Sequence, residues 1–143
     1  MKSFSLHLVA LIPMLAFPAM ADSLDPYVGL KRLIIVSSPN AAESERINVS
    51  FAKHRMQLEE RDVTIIDVSE NPHQITAAVR LSREKTAKIR DEFKLKSGET
   101  RAVFILVGMD GGEKARCHQT LDLEKWFALI DRMPMRKAEI LGQ

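Results

Sequence analysis

The sequence predicts an α/β domain of three layers (α/β/α), in which helices cover both faces of one mixed sheet of about four strands. Short apolar runs rich in β-branched residues alternate with segments in which apolar residues recur at helical spacing. One Asp-Gly-Gly turn joins the last two runs, as in a hairpin. The predicted order is therefore strand, helix, strand, helix, strand, strand, helix (β-α-β-α-β-β-α), and the hairpin supplies the antiparallel part of the sheet.

The first strand and the first helix follow one another closely. Residues 33–36 form a Leu-Ile-Ile-Val run, which ends at Ser37. Asn40 and Glu43 then have the spacing of a capping box, which predicts a helix to about Glu60. The inner face of this helix would carry Ile47, Phe51, His54 and Leu58. The histidine of that face is predicted to be a hydrogen-bonded core or boundary residue rather than a metal ligand.

The remaining strands and one more helix follow from similar signals. Residues 63–68 form the second strand, and the next helix begins at a Ser82 cap and stops at Gly98. Residues 102–107 form the most apolar strand after residue 21, and the Asp-Gly-Gly turn leads from it into a strand over residues 113–117.

The last helix is predicted to begin near Asp122 and to bend or end at Pro134. Its buried face comprises Leu123, Phe127, Ile130 and Met133.

The first 21 residues have the organisation of a cleavable secretory signal peptide. Lys2 precedes an apolar run over residues 6–17, and the small residues Ala19 and Ala21 suit cleavage after Ala21. The run is shorter than the ~20 residues that a membrane-spanning helix needs. We therefore expect a signal peptide over residues 1–21 and one domain over residues 22–143, located in the periplasm or secreted, with no membrane span in the mature protein.

Charge and cysteine content exclude several classes of protein. Removal of residues 1–21 takes away one of the 21 basic residues, which leaves 20 against 19 acidic residues and a net charge of +1. Such a balance gives no electrostatic reason to expect binding to nucleic acid. Cys117 is the only cysteine, so an internal disulfide cannot form. A domain of this length can bury a core without a disulfide or metal, and we expect no cofactor.

Several motifs resemble thioredoxin-like proteins. Residues 89–95 (Ile-Arg-Asp-Glu-Phe-Lys-Leu), the strand over residues 103–107 and the turn at Asp110-Gly111-Gly112 are similar to the helix, strand and hairpin of that fold. The order of the predicted elements also matches its minimal form. The resemblance implies a thioredoxin-like fold.

A narrower resemblance covers nearly all of the chain after residue 21. Residues 108–116 (Gly-Met-Asp-Gly-Gly-Glu-Lys-Ala-Arg) and 130–136 (Ile-Asp-Arg-Met-Pro-Met-Arg) resemble a domain-of-unknown-function family of small exported bacterial proteins. That family is distantly related to repeated domains of vertebrate sushi-repeat and other matrix proteins. Its pattern usually has a lysine where this chain has Met109. The resemblance implies a thioredoxin-like fold and no established activity.

The position at which thioredoxins carry their redox thiols holds no cysteine. That chemistry needs thiols at the N-terminus of the first helix, where backbone N–H groups and the helix dipole lower the thiol pKa. Residues 37–44 read Ser-Ser-Pro-Asn-Ala-Ala-Glu-Ser, and residues 99–101, where the cis-proline of such folds would fall, read Glu-Thr-Arg. The sequence thus predicts a non-enzymatic binding or accessory protein of the cell envelope, whose partner is an unknown protein or a small acidic ligand.

Cys117 supports one alternative, a thiol-dependent redox or peroxide-responsive protein. Lys114, Arg116 and His118 lie close in sequence and would favour the thiolate if the sulfur were exposed. Because successive residues of a strand point to opposite faces, Cys117 and His118 are not predicted to act as a pair. A packed thiol without catalytic function is the favoured interpretation.

A soft-metal site is the second alternative. Cys117, Met133 and Met135 are weak candidate ligands for Cu(I), because thiolate and thioether are soft donors. The histidines after residue 21 lack the paired spacing of zinc sites; they are His54, His73 and His118. Core packing is the favoured role of Met133.

Basic side chains near the hairpin and the end of the last helix form the predicted binding surface. They are Lys114, Arg116, Arg132, Arg136 and Lys137. If the hairpin packs against the end of that helix, these groups would converge on a carboxylate or another small anion. The alternative interpretation is an ordinary solvated face.

Overall fold

The computed structural model describes residues 22–71 and 75–142. The predicted signal peptide, its cleavage at Ala21 and the side chain of His73 lie outside these residues. Within the described part of the chain, no helix has the length and apolar character needed to cross a membrane.

One mixed sheet of five strands forms the centre of the molecule, in the order β3-β2-β1-β4-β5. The strands are β1 (Arg32–Ser37), β2 (Val63–Asp67), β3 (Ala78–Arg80), β4 (Val103–Val107) and β5 (Glu113–His118). β1 pairs in parallel with β2, which pairs in parallel with β3. β4 runs antiparallel to both β1 and β5. The predicted mixed sheet with an antiparallel hairpin is confirmed.

The sheet has one strand more than the predicted number of about four. β3 has only three residues and its side chains are half-buried or exposed, so it shows no apolar run. Its backbone becomes a strand because Ala78 to Arg80 pair with Ile65 to Asp67 of β2. A pairing of this kind cannot be recognised from local sequence.

In the described residues, five α-helices and one short 3-10 helix surround the sheet. The 3-10 helix is Asp22–Tyr27, and the α-helices are α1 (Ala41–Lys53), α2 (Arg55–Glu60), α3 (Arg83–Glu92), α4 (Leu123–Asp131) and α5 (Pro134–Leu141). The predicted caps at Asn40 and Ser82 are present, and Asp122 caps the helix predicted to begin near it. The side chains of Asn40, Ser82 and Asp122 accept hydrogen bonds from backbone N–H groups three residues on, at 2.9, 3.2 and 3.0 Å.

Two predicted helices end differently from expectation. The helix expected to reach Glu60 is divided into α1 and α2 at His54, whose backbone N–H and ring Nδ1 both bond the Ser50 carbonyl. The helix expected to stop at Gly98 ends at Glu92, because Lys94 takes a left-handed conformation (φ 55°). The N–H groups of Lys94 and Leu95 bond the carbonyls of Asp91 and Arg90, which forms a Schellman motif.

The core consists of two apolar layers, one on each face of the sheet. On one face, α1, α2 and α4 contribute Ile47, Phe51, Leu58, Leu123, Trp126, Phe127 and Ile130. On the other, the 3-10 helix and α3 contribute Leu24, Ile89 and Phe93. The side chains of β1 and β4 alternate between the layers, so both strands are buried throughout. Helices on both faces confirm the predicted three-layer α/β/α arrangement.

Candidate functional site

The loop between β1 and α1 occupies the position where a thioredoxin carries its redox thiols. Ser37, Ser38, Pro39 and Asn40 form one wall of a cavity of about 350 Å³, and Gly98, Glu99 and Thr100 form part of the opposite wall. We call this cavity the serine pocket. The structure thus brings the start of residues 37–44, which contain no thiol pair, close to residues 99 and 100, where the sequence has no proline.

The buried hydroxyls of the serine pocket are hydrogen-bonded to one another and to the backbone. Ser44 Oγ donates to Ser38 Oγ at 2.9 Å, and Ser38 Oγ donates to the Asn40 carbonyl at 3.1 Å. The Ser38 backbone N–H donates to Ser69 Oγ at 2.8 Å. These bonds fix the loop at the start of α1 and leave the hydroxyls engaged in structure.

The guanidinium of Arg90, on α3, donates hydrogen bonds to three separate segments around the serine pocket. Its Nη1 donates to Ser37 Oγ at 3.0 Å and to the Val68 carbonyl at 2.8 Å, while Nη2 donates to the Lys96 carbonyl at 2.9 Å. Glu70 lies 3.5 Å from Nη2. The pKa of Glu70 is below its ordinary value, because the Gly98 N–H and the Ser97 side chain donate to it and the charge of Arg90 adds to the effect.

The serine pocket lacks the arrangement that activates a hydroxyl nucleophile. Such an arrangement needs a base within hydrogen-bond reach of the hydroxyl. Ser37, Ser38 and Ser44 instead bond a guanidinium, a backbone carbonyl and another hydroxyl. Their hydrogen bonds therefore fix the loop between β1 and α1.

A second depression, of about 470 Å³, adjoins the serine pocket and shares Gly98, Glu99 and Thr100 with it. We call it the basic depression. Its floor includes Val103, and five basic side chains line it: Lys94, Lys96, Arg101, Arg116 and His118. The α3–β4 loop provides the first three and β5 the last two, so the site forms where the two elements meet.

Three of these cations are free of acidic partners. Among the residues that the structure describes, Lys94, Lys96 and Arg101 take part in no ion pair, and all three are exposed. Arg116 differs, since Nη2 donates to Glu113 Oε2 at 2.8 Å and to the Phe93 carbonyl at 2.7 Å. The Arg116 hydrogen bond is the main reason why the pKa of Glu113 is lower than usual.

Residues 23–139 match the family model described as "Domain of unknown function (DUF4174)". The chain belongs to the DUF4174 family. The predicted membership in a domain-of-unknown-function family is therefore confirmed, whereas the predicted relation to vertebrate sushi-repeat and matrix proteins stays a prediction. No curated protein matches this DUF4174 chain in sequence.

Solved structures with a similar fold include several peroxiredoxins. A reduced 2-Cys peroxiredoxin of Plasmodium vivax superposes with a TM-score of 0.55 and 17% identity, over 83% of this chain and 72% of that one. Peroxiredoxin Q of Xanthomonas campestris gives 0.57 and 14%, over 75% and 81%. The mitochondrial 2-Cys peroxiredoxin of Plasmodium falciparum gives 0.55 and 12%, over 84% of each chain. Identities this low show the fold alone, and they confirm that the DUF4174 domain is thioredoxin-like.

Cys117 lies on the edge strand β5, paired in register with Phe104 of β4. Its side chain packs against the core layer beneath α1 and α4 and is half-buried. Burial raises the pKa of the thiol above its ordinary value. This environment favours the protonated thiol over the nucleophilic thiolate.

The predicted convergence of the hairpin and α5 cations is wrong for Arg116 and Arg136. Arg116 bonds the end of α3 on one face of the sheet, whereas Arg136 is 3% exposed and bonds Glu60 and Asp131 at the ends of α2 and α4, on the other face. Burial acts to lower the pKa of Arg136, but its bonds to Glu139 and Asp131 raise it above the ordinary value. Arg136 thus stabilises the fold and presents no charge to a ligand.

The other two predicted binding residues also lie apart from the basic depression. Lys114 Nζ is 2.6 Å from Asp110 Oδ2, within the hairpin. Arg132 is exposed, at the C-terminus of α4. Of the predicted set, only Arg116 belongs to the basic depression.

The three candidate soft ligands are likewise divided. Met133 and Met135 line a cavity beside the hairpin turn, and Cys117, near the other end of β5, is not among the lining residues. Across the described residues, no group of three or more histidine, cysteine, aspartate or glutamate side chains has an arrangement suited to a metal ion.

His54 is a partnered boundary residue in the DUF4174 domain. Its Nδ1 is 2.8 Å from the Ser50 carbonyl, its Nε2 is 3.5 Å from Glu124, and its ring lies against Phe127 with centroids 6.0 Å apart. His118 is instead exposed in the basic depression.

The sequence did not reveal Lys94, Lys96 and Arg101 as functional candidates. They are spaced irregularly along a loop, and the two β5 residues that complete the site are more than ten positions further on. One signal was present: a lysine occupies the left-handed position after α3, where glycine is usual.

Proposed function

We propose that this DUF4174 protein is a non-enzymatic, exported binding domain, and that the basic depression holds a carboxylate-rich or otherwise acidic ligand. The observation that carries the proposal is the presence of three exposed cations without acidic partners around one concave surface. Other described cations without an ion pair, such as Lys53, Lys125 and Lys137, do not line this depression, so the clustering of the three on one concave surface is the distinguishing feature.

The conformation of Lys94 supports a role in binding. A side chain other than glycine in the left-handed region costs about 1–2 kcal/mol, and the φ of Lys94 is 55°. Strained residues of this kind persist where the surrounding structure or a function requires them. Here the strain places a lysine at the rim of the basic depression.

The non-enzymatic part of the proposal rests on the serine pocket and on Cys117. No cysteine lines the pocket, and the hydroxyls of Ser37, Ser38 and the adjacent Ser44 are hydrogen-bonded to a guanidinium, a backbone carbonyl and one another rather than to Glu70. The pKa of the Cys117 thiol is raised by burial, which weakens the alternative of thiol-dependent redox chemistry. Export rests on residues 1–21 of the sequence, with their basic start, apolar run and Ala19/Ala21 cleavage pattern.

Binding of a fluorescent hexaglutamate peptide at moderate salt tests the ligand site. We expect the double variant Lys96→Gln/Arg101→Gln to bind about tenfold more weakly than the unaltered protein, because two charge-assisted contacts are lost. The matched control is Arg132→Gln/Lys137→Gln, which removes the same charge from exposed residues outside the basic depression. Equal weakening by both variants would show a general charge effect and would contradict the proposal.

Lys94→Gly provides a second, sharper variant. Glycine relieves the left-handed strain, so the free energy of unfolding should rise by up to about 1 kcal/mol. Binding of the peptide should nevertheless weaken, since a cation is lost. A variant that is more stable and binds equally well would remove Lys94 from the site.

A further inference from the structure

β5 forms one edge of the sheet. It is the last strand in the order β3-β2-β1-β4-β5, and among the described strands it pairs with β4 alone. Its six residues are half-buried or exposed. Such an edge presents backbone N–H and C=O groups with which another extended segment can pair. The opposite edge, β3, has only three residues and offers a shorter ladder.

The ladder between β4 and β5 determines which backbone groups point to this edge. The Gln119 N–H donates to the Ala102 carbonyl at 2.7 Å, so these two residues form a hydrogen-bonded pair next to the ladder. Hydrogen-bonded and non-hydrogen-bonded pairs alternate in antiparallel strands, and Cys117 therefore forms the next hydrogen-bonded pair with β4. The N–H and C=O groups of Arg116 and His118 point away from β4, toward the open edge.

The same two residues also line the basic depression. The side chains of Arg116 and His118 lie on the face of the sheet that carries Val103 and α3, whereas Cys117 packs against the opposite layer. The His118 carbonyl accepts a hydrogen bond from the Thr120 N–H at 2.9 Å. The edge beside the depression therefore offers three backbone groups, which are the N–H and C=O of Arg116 and the N–H of His118.

The surface next to this edge is positively charged. Five basic side chains line the depression, against one acidic side chain, Glu99. Lys94, Lys96 and Arg101 are exposed and take part in no ion pair with another described residue. Electrostatic complementarity therefore favours an acidic partner at this edge.

We propose that β5 binds an extended acidic segment of a partner protein as an additional antiparallel strand. The inference rests on the acidic-ligand function proposed above and specifies the conformation in which that ligand binds. In an antiparallel pair, residues directly opposite one another have side chains on the same face of the sheet. Acidic residues that pair with Arg116 and His118, two positions apart in the partner, would therefore extend over the basic depression. Backbone hydrogen bonds supply affinity in this mode of recognition, and the alternate side chains supply specificity.

Charge argues against a second copy of β5 as the added strand. Antiparallel pairing of two β5 edges through their outward-facing residues would place the basic residues Arg116 and His118 of one copy opposite those of the other. Like charges directly opposite one another destabilise a strand pair. An acidic segment instead supplies opposite charges at the same positions.

Fluorescent six-residue peptides in which glutamate and threonine alternate test the proposal. The pairing assigns the glutamates to the positions that exchange backbone hydrogen bonds with β5, and it directs the threonine N–H groups away from β5. N-methylation of the three glutamates should weaken binding by about tenfold or more, because it removes the N–H groups that face β5 and places methyl groups against the strand. N-methylation of the three threonines is the matched control. That peptide has the same charge and the same number of methyl groups, and it should bind as the unmodified peptide does.

The outcomes separate this proposal from the acidic-ligand function. Equal affinity of the three peptides would overturn strand addition, whereas weaker binding to Lys96→Gln/Arg101→Gln would still support the acidic-ligand site. Failure of every peptide to bind, hexaglutamate included, would overturn both proposals. Weaker binding of the peptide methylated on threonine than of the one methylated on glutamate would indicate parallel pairing and would overturn the antiparallel arrangement.

Amide hydrogen exchange measured by NMR gives a second readout, at β5 itself. The unmodified peptide at saturation should slow the exchange of the Arg116 and His118 N–H groups by about tenfold or more, since both gain acceptors. The Cys117 N–H bonds β4 in either state and serves as the internal control. Unchanged exchange at Arg116 and His118 would contradict the proposal. Slow exchange without peptide that strengthens with protein concentration would show pairing between copies and would likewise overturn it.

Discussion

The pKa of the Cys117 thiol depends on the residues that surround it in space rather than on its neighbours in sequence. Three basic or imidazole residues lie within three positions of it in sequence, yet its sulfur packs on the opposite side of β5, against the apolar layer that contains Phe104 and Phe127. The desolvation of the sulfur raises its pKa. The basic neighbours therefore do not activate it.

We expect Cys117 to react slowly. Labelling with a disulfide reagent at pH 8 should be at least about tenfold slower in the folded protein than in urea, because only the thiolate reacts and burial disfavours it. Cys117→Ser should change the free energy of unfolding by about 1 kcal/mol or less. Peroxide oxidation of the folded protein faster than that of free cysteine would instead favour the redox function.

At the scale of elements, a group of ion pairs attaches α5 to the rest of the molecule. Arg32 of β1 is 1% exposed and donates twice to Glu139 of α5, while Arg136 of α5 reaches Glu60 and Asp131. The pKa of Glu139 is lowered chiefly by its hydrogen bond from Arg32. The pKa of Asp131 is lowered chiefly by its hydrogen bond from Arg61.

This attachment should be sensitive to acid. Because the pKa of Glu139 is lower in the folded than in the unfolded chain, its contribution to stability is complete above the ordinary glutamate pKa of about 4.3 and is lost as the pH falls below it. Glu139→Gln should lower the free energy of unfolding at pH 7 by about 1–3 kcal/mol, since Arg32 loses a charged partner. Urea titrations at pH 7 and pH 3.5 measure both effects.

Glu45→Gln is the control for that measurement, because Glu45 is exposed on α1 and forms no ion pair with another described residue. The control should retain the full pH dependence, whereas Glu139→Gln should show less of it. Identical pH dependence in the two variants would exclude Glu139 as a source of acid sensitivity.

At the scale of the whole molecule, the apolar core and the proposed binding surface lie in different parts of the fold. The sheet and its two apolar layers form the centre, whereas the basic depression lies at the end of the β4–β5 hairpin away from the turn. At the thioredoxin-like redox position between β1 and α1, the serine hydroxyls are hydrogen-bonded. The basic depression adjoins this position and shares Gly98, Glu99 and Thr100 with it, but its basic side chains come from the α3–β4 loop and β5.

Processing of the whole chain tests the proposed export. When the full-length protein is expressed in a bacterium with a general secretory pathway, we expect mass spectrometry of the soluble envelope fraction to show an N-terminus at Asp22. Ala19→Lys/Ala21→Lys should block cleavage, because small residues are needed at these positions. Recovery of the unaltered protein in the cytoplasm with residues 1–21 intact would contradict export.

The sequence by itself determined the features that depend on local chemistry. The runs over residues 33–36 and 102–107 are apolar throughout, so they had to become strands covered on both faces. The caps at Asn40, Ser82 and Asp122 depend on a bond to a residue three positions away. The absence of cysteine between Ser37 and Ser44 was sufficient to show that the thiol pair of thioredoxins is missing at this position.

Only the tertiary structure decided which side chains share an environment. β3 exists because it pairs with β2. Arg136 can be buried because its guanidinium donates a hydrogen bond to Glu60, 76 residues earlier in the chain. The basic depression likewise joins residues of the α3–β4 loop to residues of β5. The physical reason is that burial and charge pairing depend on contacts between residues distant in sequence, and the spacing of residues along the chain does not encode them.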